Sequence, residues 1–335
     1  MNEPVLVKKG LVLGGGSAET LFNTNSYGDQ LRQEFRKRGY DLAANASPVD
    51  KNIVFELHFN ARAAHGKRPA YVILFETPLI TKRNGDPVCL AQYRKLFTWN
   101  DSLVDGSRFI KLQLPNPVRY TAPDGYASRP DFCCIIASNK SMASADPREL
   151  YSERVRVIRW FETHAPQDFA LYGGGWNLPV RRFGWGRTTV KRFWMLVSHF
   201  YKLHPFPSYR GRIPDKHDAL LKTRFSFCYE NVRDFPGYVT EKIFDCMFAG
   251  CVPVYWGANN VTDYIPADCF IDRRRFRDTA EVYAFLKAMP ETEYRGYQQR
   301  MADFLTSERM TPFTSGAQVC LIADTIAQDL ARLHE

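Results

Sequence analysis

The chain has no CxxC pair among its eight cysteines, no internal repeat and no low-complexity segment. It also lacks any run of about 18 apolar residues, the length a membrane-crossing helix needs. Each absence removes a class of protein. Cys89, Cys133, Cys134, Cys228, Cys246, Cys251, Cys269 and Cys320 lie mostly in apolar runs, so neither a zinc site nor a dithiol redox centre is expected. The thiols read as reduced core residues of a cytosolic protein. Residues Met1 to Lys9 contain no continuous apolar segment of the kind a signal peptide needs, and the expected location is the cytoplasm.

Charge is the next constraint. The 45 basic residues outnumber the 36 acidic ones, for a formal charge of +9. The excess fits nucleic acid, an anionic membrane surface or a phosphorylated substrate. The basic residues are dispersed, and the two local groups, Arg154, Arg156, Arg159 and Arg273, Arg274, Arg275, are mixed with apolar residues. No zinc-finger or helix-turn-helix pattern accompanies them, so nucleic acid is not an expected partner. A solvated basic surface is the plainer reading, with peripheral attraction to the inner face of a membrane as an addition.

What is present is the pattern of a folded α/β protein. At 335 residues, 45% of them hydrophobic, the chain has material for two cores rather than one. Apolar, β-branched runs bounded by turn residues read as buried strands at Val5 to Leu13, Ile53 to Phe59, Tyr71 to Phe75, Leu96 to Trp99, Phe109 to Leu114, Phe132 to Ala137, Phe169 to Tyr172, Phe225 to Tyr229 and Val252 to Trp256. Helical patterns lie among them at Gly28 to Arg38, Ser152 to His164, Lys191 to Tyr201, Thr240 to Ala249, Thr279 to Ala288 and Tyr294 to Thr306. Such alternation predicts parallel sheets with helices on both faces. The polar stretch Ser138 to Glu149 divides the series into two Rossmann-like lobes, residues 1–145 and 146–315, and residues 316–335 form a last helix that packs back across them. Residues 203 to 217, with three prolines and a glycine, read as a loop. Two open α/β lobes facing each other would make a cleft beyond the carboxyl ends of their strands.

The densest chemistry lies in three consecutive pieces: Arg224-Phe-Ser-Phe-Cys-Tyr-Glu-Asn231, Gly237-Tyr-Val-Thr-Glu-Lys242 and Ala249-Gly-Cys-Val-Pro-Val-Tyr-Trp-Gly257. They read as a strand ending in two polar side chains, a turn, a helix capped by Thr240 and a second strand. The free N–H groups at that helix start suit a pyrophosphate. Lys242 in the first turn opposes the helix dipole, a penalty that a bound diphosphate would reverse. Glu241 can accept from ribose hydroxyls, and Tyr238 can donate to a phosphate or pack on a sugar. Spacing alone allows equally that Glu241 and Lys242 are solvated and Tyr238 is a turn aromatic.

This segment resembles the donor-binding motif of the alpha-1,3/4-fucosyltransferases, glycosyltransferase family 10, which carry F-x-x-C-F-E-N, G-Y-V-T-E-K and V-P-V-x-x-G. Tyr229 stands where phenylalanine is commoner. Ile135-Ile-Ala-Ser138-Asn139 is similar to a family strand ending in Ser-Asn, and Arg154 best matches a helix arginine that touches the donor phosphates, with Arg156 and Arg159 as alternatives. Leu171-Tyr-Gly-Gly-Gly-Trp176 resembles the glycine turn that follows that helix. In the first lobe, Phe75-Glu76-Thr-Pro78 resembles the acidic turn whose glutamate is the family's catalytic base, and Phe97-Thr-Trp99-Asn100-Asp101 resembles a strand end near the acceptor, where Trp99 stacks on a sugar or belongs to the core. The match is good from about residue 70 to 275. Gly14 to Gly16 read as a turn or acceptor-side loop.

The resemblance implies a GT-B-like fold, an acceptor-binding first lobe and a donor-binding second lobe. It implies an inverting transfer of fucose from GDP-fucose to the hydroxyl of an oligosaccharide or lipid-linked glycan. Glu76 would be the base, its pKa raised by partial burial, and Ser138, Asn139, Arg154, Asn231, Tyr238, Thr240, Glu241 and Lys242 would bind the donor. No Asp-x-Asp occurs, so no essential metal and no further cofactor are expected. A same-fold transferase with another nucleotide sugar, or a non-catalytic binding relative, stays open.

Overall fold

The computed structural model describes residues 8–13, 26–44, 50–62, 68–142, 146–179 and 205–333. The glycine run at 14–16 and the expected helix at 191–201 lie outside them. The described residues fall into two compact units, one from residues 1–117 with 311–335 and the other from 118–310.

In the first unit six strands, β1 (Lys8–Leu13), β2 (Tyr40–Ala43), β3 (Ile53–Phe59), β4 (Ala70–Leu74), β5 (Lys95–Thr98) and β6 (Phe109–Lys111), form one sheet in the order β2-β1-β3-β4-β5-β6. Every pairing is parallel. β4 is apolar on both faces because each face is covered, whereas β3 carries the buried pair Glu56 and His58, 3.0 Å apart, on the face opposite Phe55 and Leu57. One cover is α1 (Ser26–Lys37), which buries Tyr27, Leu31 and Phe35, four residues apart and therefore on one face. Phe35 stacks on Phe55 of β3 at 5.6 Å. The short α2 (Pro87–Ala91) starts at the Asp86 cap.

The helix α8 (Ser315–Ala331) belongs to the same core. Val319, Ile322, Ala323, Ile326 and Leu330 keep helical spacing and join Leu31, Phe35 and the inner face of the sheet. Its buried Asp329 accepts from the Tyr71 hydroxyl at 2.8 Å and from Arg94 at 2.6 Å. The last helix thus completes the N-terminal unit, where the sequence left it lying across both lobes.

The second unit holds β7 (Asp131–Ile136), β8 (Phe169–Tyr172), β9 (Thr223–Tyr229), β10 (Val252–Trp256) and β11 (Ile271–Asp272), all parallel, in the order β11-β10-β9-β7-β8. Its helices are α3 (Tyr151–His164), α4 (Lys216–Lys222), α5 (Glu241–Phe248), α6 (Thr279–Ala288) and α7 (Glu291–Thr306). The strand order reverses between β7 and β9, because β8 follows β7 outward and β9 returns to the other side. Ligands of open α/β sheets bind beyond the carboxyl ends of the strands at such a reversal.

Three expectations change. The units divide after Pro117, ahead of the polar stretch at 138–149, because β7 pairs with β9 and not with the first sheet. The edge strands β2 and β11 are too short to stand out as apolar runs. Finally, α4 begins at the end of the proline-rich segment, with Asp215 accepting from the N–H of His217 as its cap.

Candidate functional site

Glu230, the residue after β9, organises the reversal point. Its side chain is wholly buried, and each carboxylate oxygen is occupied. One accepts from the backbone N–H of Thr240 at 2.8 Å. The other accepts from the Thr240 hydroxyl at 2.7 Å and from the ammonium of Lys242 at 3.1 Å. A buried carboxylate is tolerated only with such pairing, since its desolvation would otherwise cost several kcal/mol. Lys242 also donates to Thr240 Oγ1 at 2.9 Å, and the Glu241 carboxylate lies 3.7 Å from its ammonium.

The same contacts start α5. Thr240 has extended backbone angles and accepts from the N–H of Lys242, so it is the N-cap. The helix then buries Ile243, Phe244, Cys246, Met247 and Phe248. At its other end the buried Arg129 donates to the carbonyl of Ala249 at 2.5 Å, a cation where the dipole is negative. The strand β10 passes so close that a Cβ on Gly257 would lie 2.5 Å from Glu230 Cγ and 2.3 Å from the Tyr255 hydroxyl oxygen, so no larger residue fits there.

Electrostatics set the protonation states. Burial alone would lower the pKa of Lys242, but the carboxylates of Glu230 and Glu241 more than offset it and raise the value. For Glu241 the crowded surroundings alone would raise the carboxyl, yet the ammonium groups of Lys242 and Lys216 bring it down to about 2. Those ammonium groups lie 3.7 and 3.9 Å away, and the Glu241 side chain is 44% exposed. Asp245, one turn on, is raised to about 6 by burial even though Lys216 lies 2.9 Å away.

Arg154 is brought to the same point from α3, and it is almost wholly buried. Its Nη2 donates to the carbonyls of Tyr229 and Glu230, both at 2.7 Å, and to Asn231 Oδ1 at 3.1 Å. Burial presses its pKa below the usual guanidinium value. Arg154 therefore clamps the end of β9, and Asn231 spends its oxygen on the clamp. Arg156 and Arg159 are exposed and pair with Glu153 and Glu162. Tyr238 and Thr240 are interior, at 2% and 3% exposure. The Thr240 hydroxyl is engaged with Glu230, which makes its contribution the cap and not a hydroxyl offered to a ligand.

Ser138 and Asn139 follow β7, the other strand at the reversal. Ser138 is exposed beyond β7, while Asn139 donates to the carbonyls of Gly175 and Leu178 at 3.0 and 2.9 Å and braces the glycine turn after β8. That turn needs glycine: a Cβ on Gly173, at φ 124°, would lie 2.0 Å from the carbonyl oxygen of Ala137.

In the first unit Glu76 is half-buried, two residues past the end of β4. Asn60, in the left-handed region at φ 63°, accepts from the N–H groups of Phe75 and Glu76 at 2.9 and 3.0 Å. Asn84, 2% exposed, donates to the carbonyl of Glu76 at 2.7 Å and to Asn60 at 2.8 Å, and accepts from Ala61. Both backbone groups of Glu76 are thus held by asparagine side chains. The Trp99 indole donates to the carbonyl of Phe75 at 3.1 Å and is 2% exposed, so its ring is core and offers no face to a sugar. Asn100 closes a turn by accepting from Ser102.

Sequence reading missed Glu230, Asn60 and Asn84. Glu230 was legible as one of the two polar residues ending a strand inside the motif. The asparagines carry no local signal, because their partners lie 8 to 24 residues away. No group of three His, Cys, Asp or Glu side chains converges among the described residues, and no described helix is long and apolar enough to cross a membrane.

Comparison with known proteins covers the segment that carries Glu230, Thr240 and Lys242. Residues 204–333 match the C-terminal domain of glycosyltransferase family 10 (fucosyltransferase). That stretch of the chain is similar to family 10. An alpha-(1,3)-fucosyltransferase of Helicobacter pylori is 32% identical over 75 residues, 22% of this chain and 16% of that protein. An alpha-(1,4)-fucosyltransferase of Arabidopsis thaliana is 33% identical over 88 residues, 25% of this chain and 22% of its own length. The chain thus matches less than a quarter of the length of either relative. A crystal structure of an alpha1,3-fucosyltransferase with GDP-fucose superposes over 98% of this chain and 93% of its own, with a TM-score of 0.55 at 12% identity. That likeness shows the fold alone, two parallel α/β sheets of GT-B type, and it extends well outside the region of sequence similarity.

Proposed function

We propose that the chain transfers fucose from GDP-fucose to the hydroxyl of a glycan, with inversion and without an essential metal ion. The observation that carries this reading is the carboxylate-anchored lysine at the start of α5. Glu230 and Thr240 hold the Lys242 ammonium beside the free N–H groups of a helix N-terminus, so a cation and backbone donors stand together. A diphosphate suits that combination, and the motif that builds the place lies in the stretch matching a family named for fucosyl transfer.

The assignment follows the chemistry. Lys242, the N–H groups of α5 and the field of the clamped Arg154 stabilise charge on the departing diphosphate, the task a metal performs in other transferases. Glu241, ionised throughout the neutral range, accepts from the ribose hydroxyls. Glu76 takes the proton from the acceptor hydroxyl, and the asparagine clamp fixes the backbone from which it reaches. A lipid-linked or cell-surface glycan at the cytoplasmic face is the proposed acceptor.

The test is GDP release from GDP-fucose with a panel of glycans, in chelator, beside calorimetric GDP binding by the wild type and Lys242→Ala. Turnover undiminished by chelator and at least about a tenfold loss of GDP affinity in the variant are expected. Unchanged affinity refutes the diphosphate site, activity restored only by added manganese refutes metal independence, and faster release from another nucleotide sugar reassigns the donor.

A further inference from the structure

The second unit contains a pocket of about 610 Å³ beyond β10 and β11 whose walls include Arg156, Arg233, Trp256, Arg273, Arg274 and Arg277. The two arginine groups that look scattered in sequence, around 156 and around 274, meet here. Four of the five guanidinium groups are neutralised by a neighbour: Arg156 by Glu153, Arg233 by Asp234, Arg274 by Asp272 and Arg277 by Asp278.

Arg273 is different. It is 9% exposed, has no carboxylate partner among the described residues, and donates through Nη1 to the carbonyl of Phe276 at 2.6 Å. Its buried Nε has no hydrogen-bond partner. The guanidinium lies 5.4 Å from the Trp256 ring, and Arg233 lies at the same distance from that ring. The Tyr229 ring meets Trp256 edge-on at 5.7 Å, and burial raises the pKa of its hydroxyl while the field of the Arg273 guanidinium opposes that rise. A buried cation without a carboxylate beside it is costly, and an anion from outside the protein relieves it.

We propose that this pocket binds an oxyanion, a phosphate or a carboxylate, carried by a ligand other than the nucleotide donor. The planar guanidinium fork of Arg273 grips two oxygens of such a group. Trp256, Trp160 and Phe276 supply apolar wall for the ring that bears it, which fits a phosphorylated or acidic sugar. None of Glu230, Thr240, Glu241, Lys242 or Arg154 lines the pocket, so the site is built from residues separate from the diphosphate place.

Inorganic phosphate and glucuronate are titrated calorimetrically into the full chain held at saturating GDP. Either probe should bind the wild type, and Arg273→Gln should weaken it at least about tenfold, the loss of one charge-assisted contact. The double variant R156Q/R274Q, changed at exposed residues, should weaken it several-fold and remains informative if the buried substitution fails to fold. GDP affinity should be unchanged in both. Phosphate binding alone identifies a phosphorylated ligand, and glucuronate binding alone an acidic sugar. Absence of both from the wild type, probe affinity indifferent to the arginines, or GDP affinity falling together with probe affinity would overturn the proposal, the last by making the pocket part of the donor site. If GDP does not bind the wild type at all, the donor reading fails while the phosphate titration still tests this one.

Discussion

Two strand ends carry the polar chemistry, one in each unit, and they are held by opposite means. Beyond β9 a buried charge does the holding: Glu230 fixes the cap of α5 and the ammonium of Lys242. Beyond β4 neutral amides do it, with Asn60 and Asn84 gripping the backbone on both sides of the Glu76 side chain. On the proposed function the difference follows from what each end presents. A place for an anion needs a cation, and a cation kept within the protein needs a compensating carboxylate. Glu76, the proposed base, needs a fixed position, and the amides hold the backbone that carries it.

Removing the charged anchor should have the largest effect. Glu230→Ala leaves Lys242 without its partner and the N–H of Thr240 unsatisfied, and it should cost about 3–5 kcal/mol of stability together with GDP binding. A denaturant titration reads the first and calorimetry the second. If the unit keeps its stability, the two ends are not built differently. Next in size, Glu76→Gln should lower kcat about 100-fold or more while leaving GDP affinity and stability unchanged. Asn84→Ala, tested beside it, should lower kcat by about tenfold and stability by about 1–3 kcal/mol, with little change in the donor KM. An equal loss of donor affinity in Asn84→Ala would mean that the amide clamp serves the fold at large and not the placement of Glu76.

The smallest effect concerns pH. The Glu241 carboxyl sits below its ordinary value, so the stability it contributes is present above that value and lost only as the pH falls towards about 2. Asp245 has the opposite sign: raised to about 6, it favours the folded state while protonated, and that contribution is lost as the pH rises through 6. Between pH 5 and 7 the Tm of the wild type should therefore drift down by about 2 °C on account of Asp245, and Asp245→Asn should flatten the drift. A slope unchanged by that substitution would place the titrating group elsewhere.

Much of this was legible before any coordinates. Ile53–Phe59, Phe169–Tyr172 and Val252–Trp256 are strands with the same limits in sequence and structure, since their apolar runs are closed sharply by turn residues. The motif from Arg224 to Gly257 announced a strand, a capped helix and a strand, and its nine-residue spacing between Asn231 and Thr240 places the cap within reach of Glu230. Edge strands of two to four residues escaped notice because a run that short has no pattern.

Sequence by itself determined the local chemistry: which strands are buried, where α5 starts, and which residues stand at its first turn. These depend on neighbours within a few positions, where backbone geometry and side-chain spacing are nearly fixed. Tertiary structure alone decided that Arg154 turns inward to the carbonyls of β9, that Trp99 is core, that α8 returns to the first unit, and that arginines about 120 residues apart meet around Trp256. Each depends on which distant segments share a sheet or a face, and that is set by the free energy of burying the whole apolar surface, a quantity no short window of sequence contains.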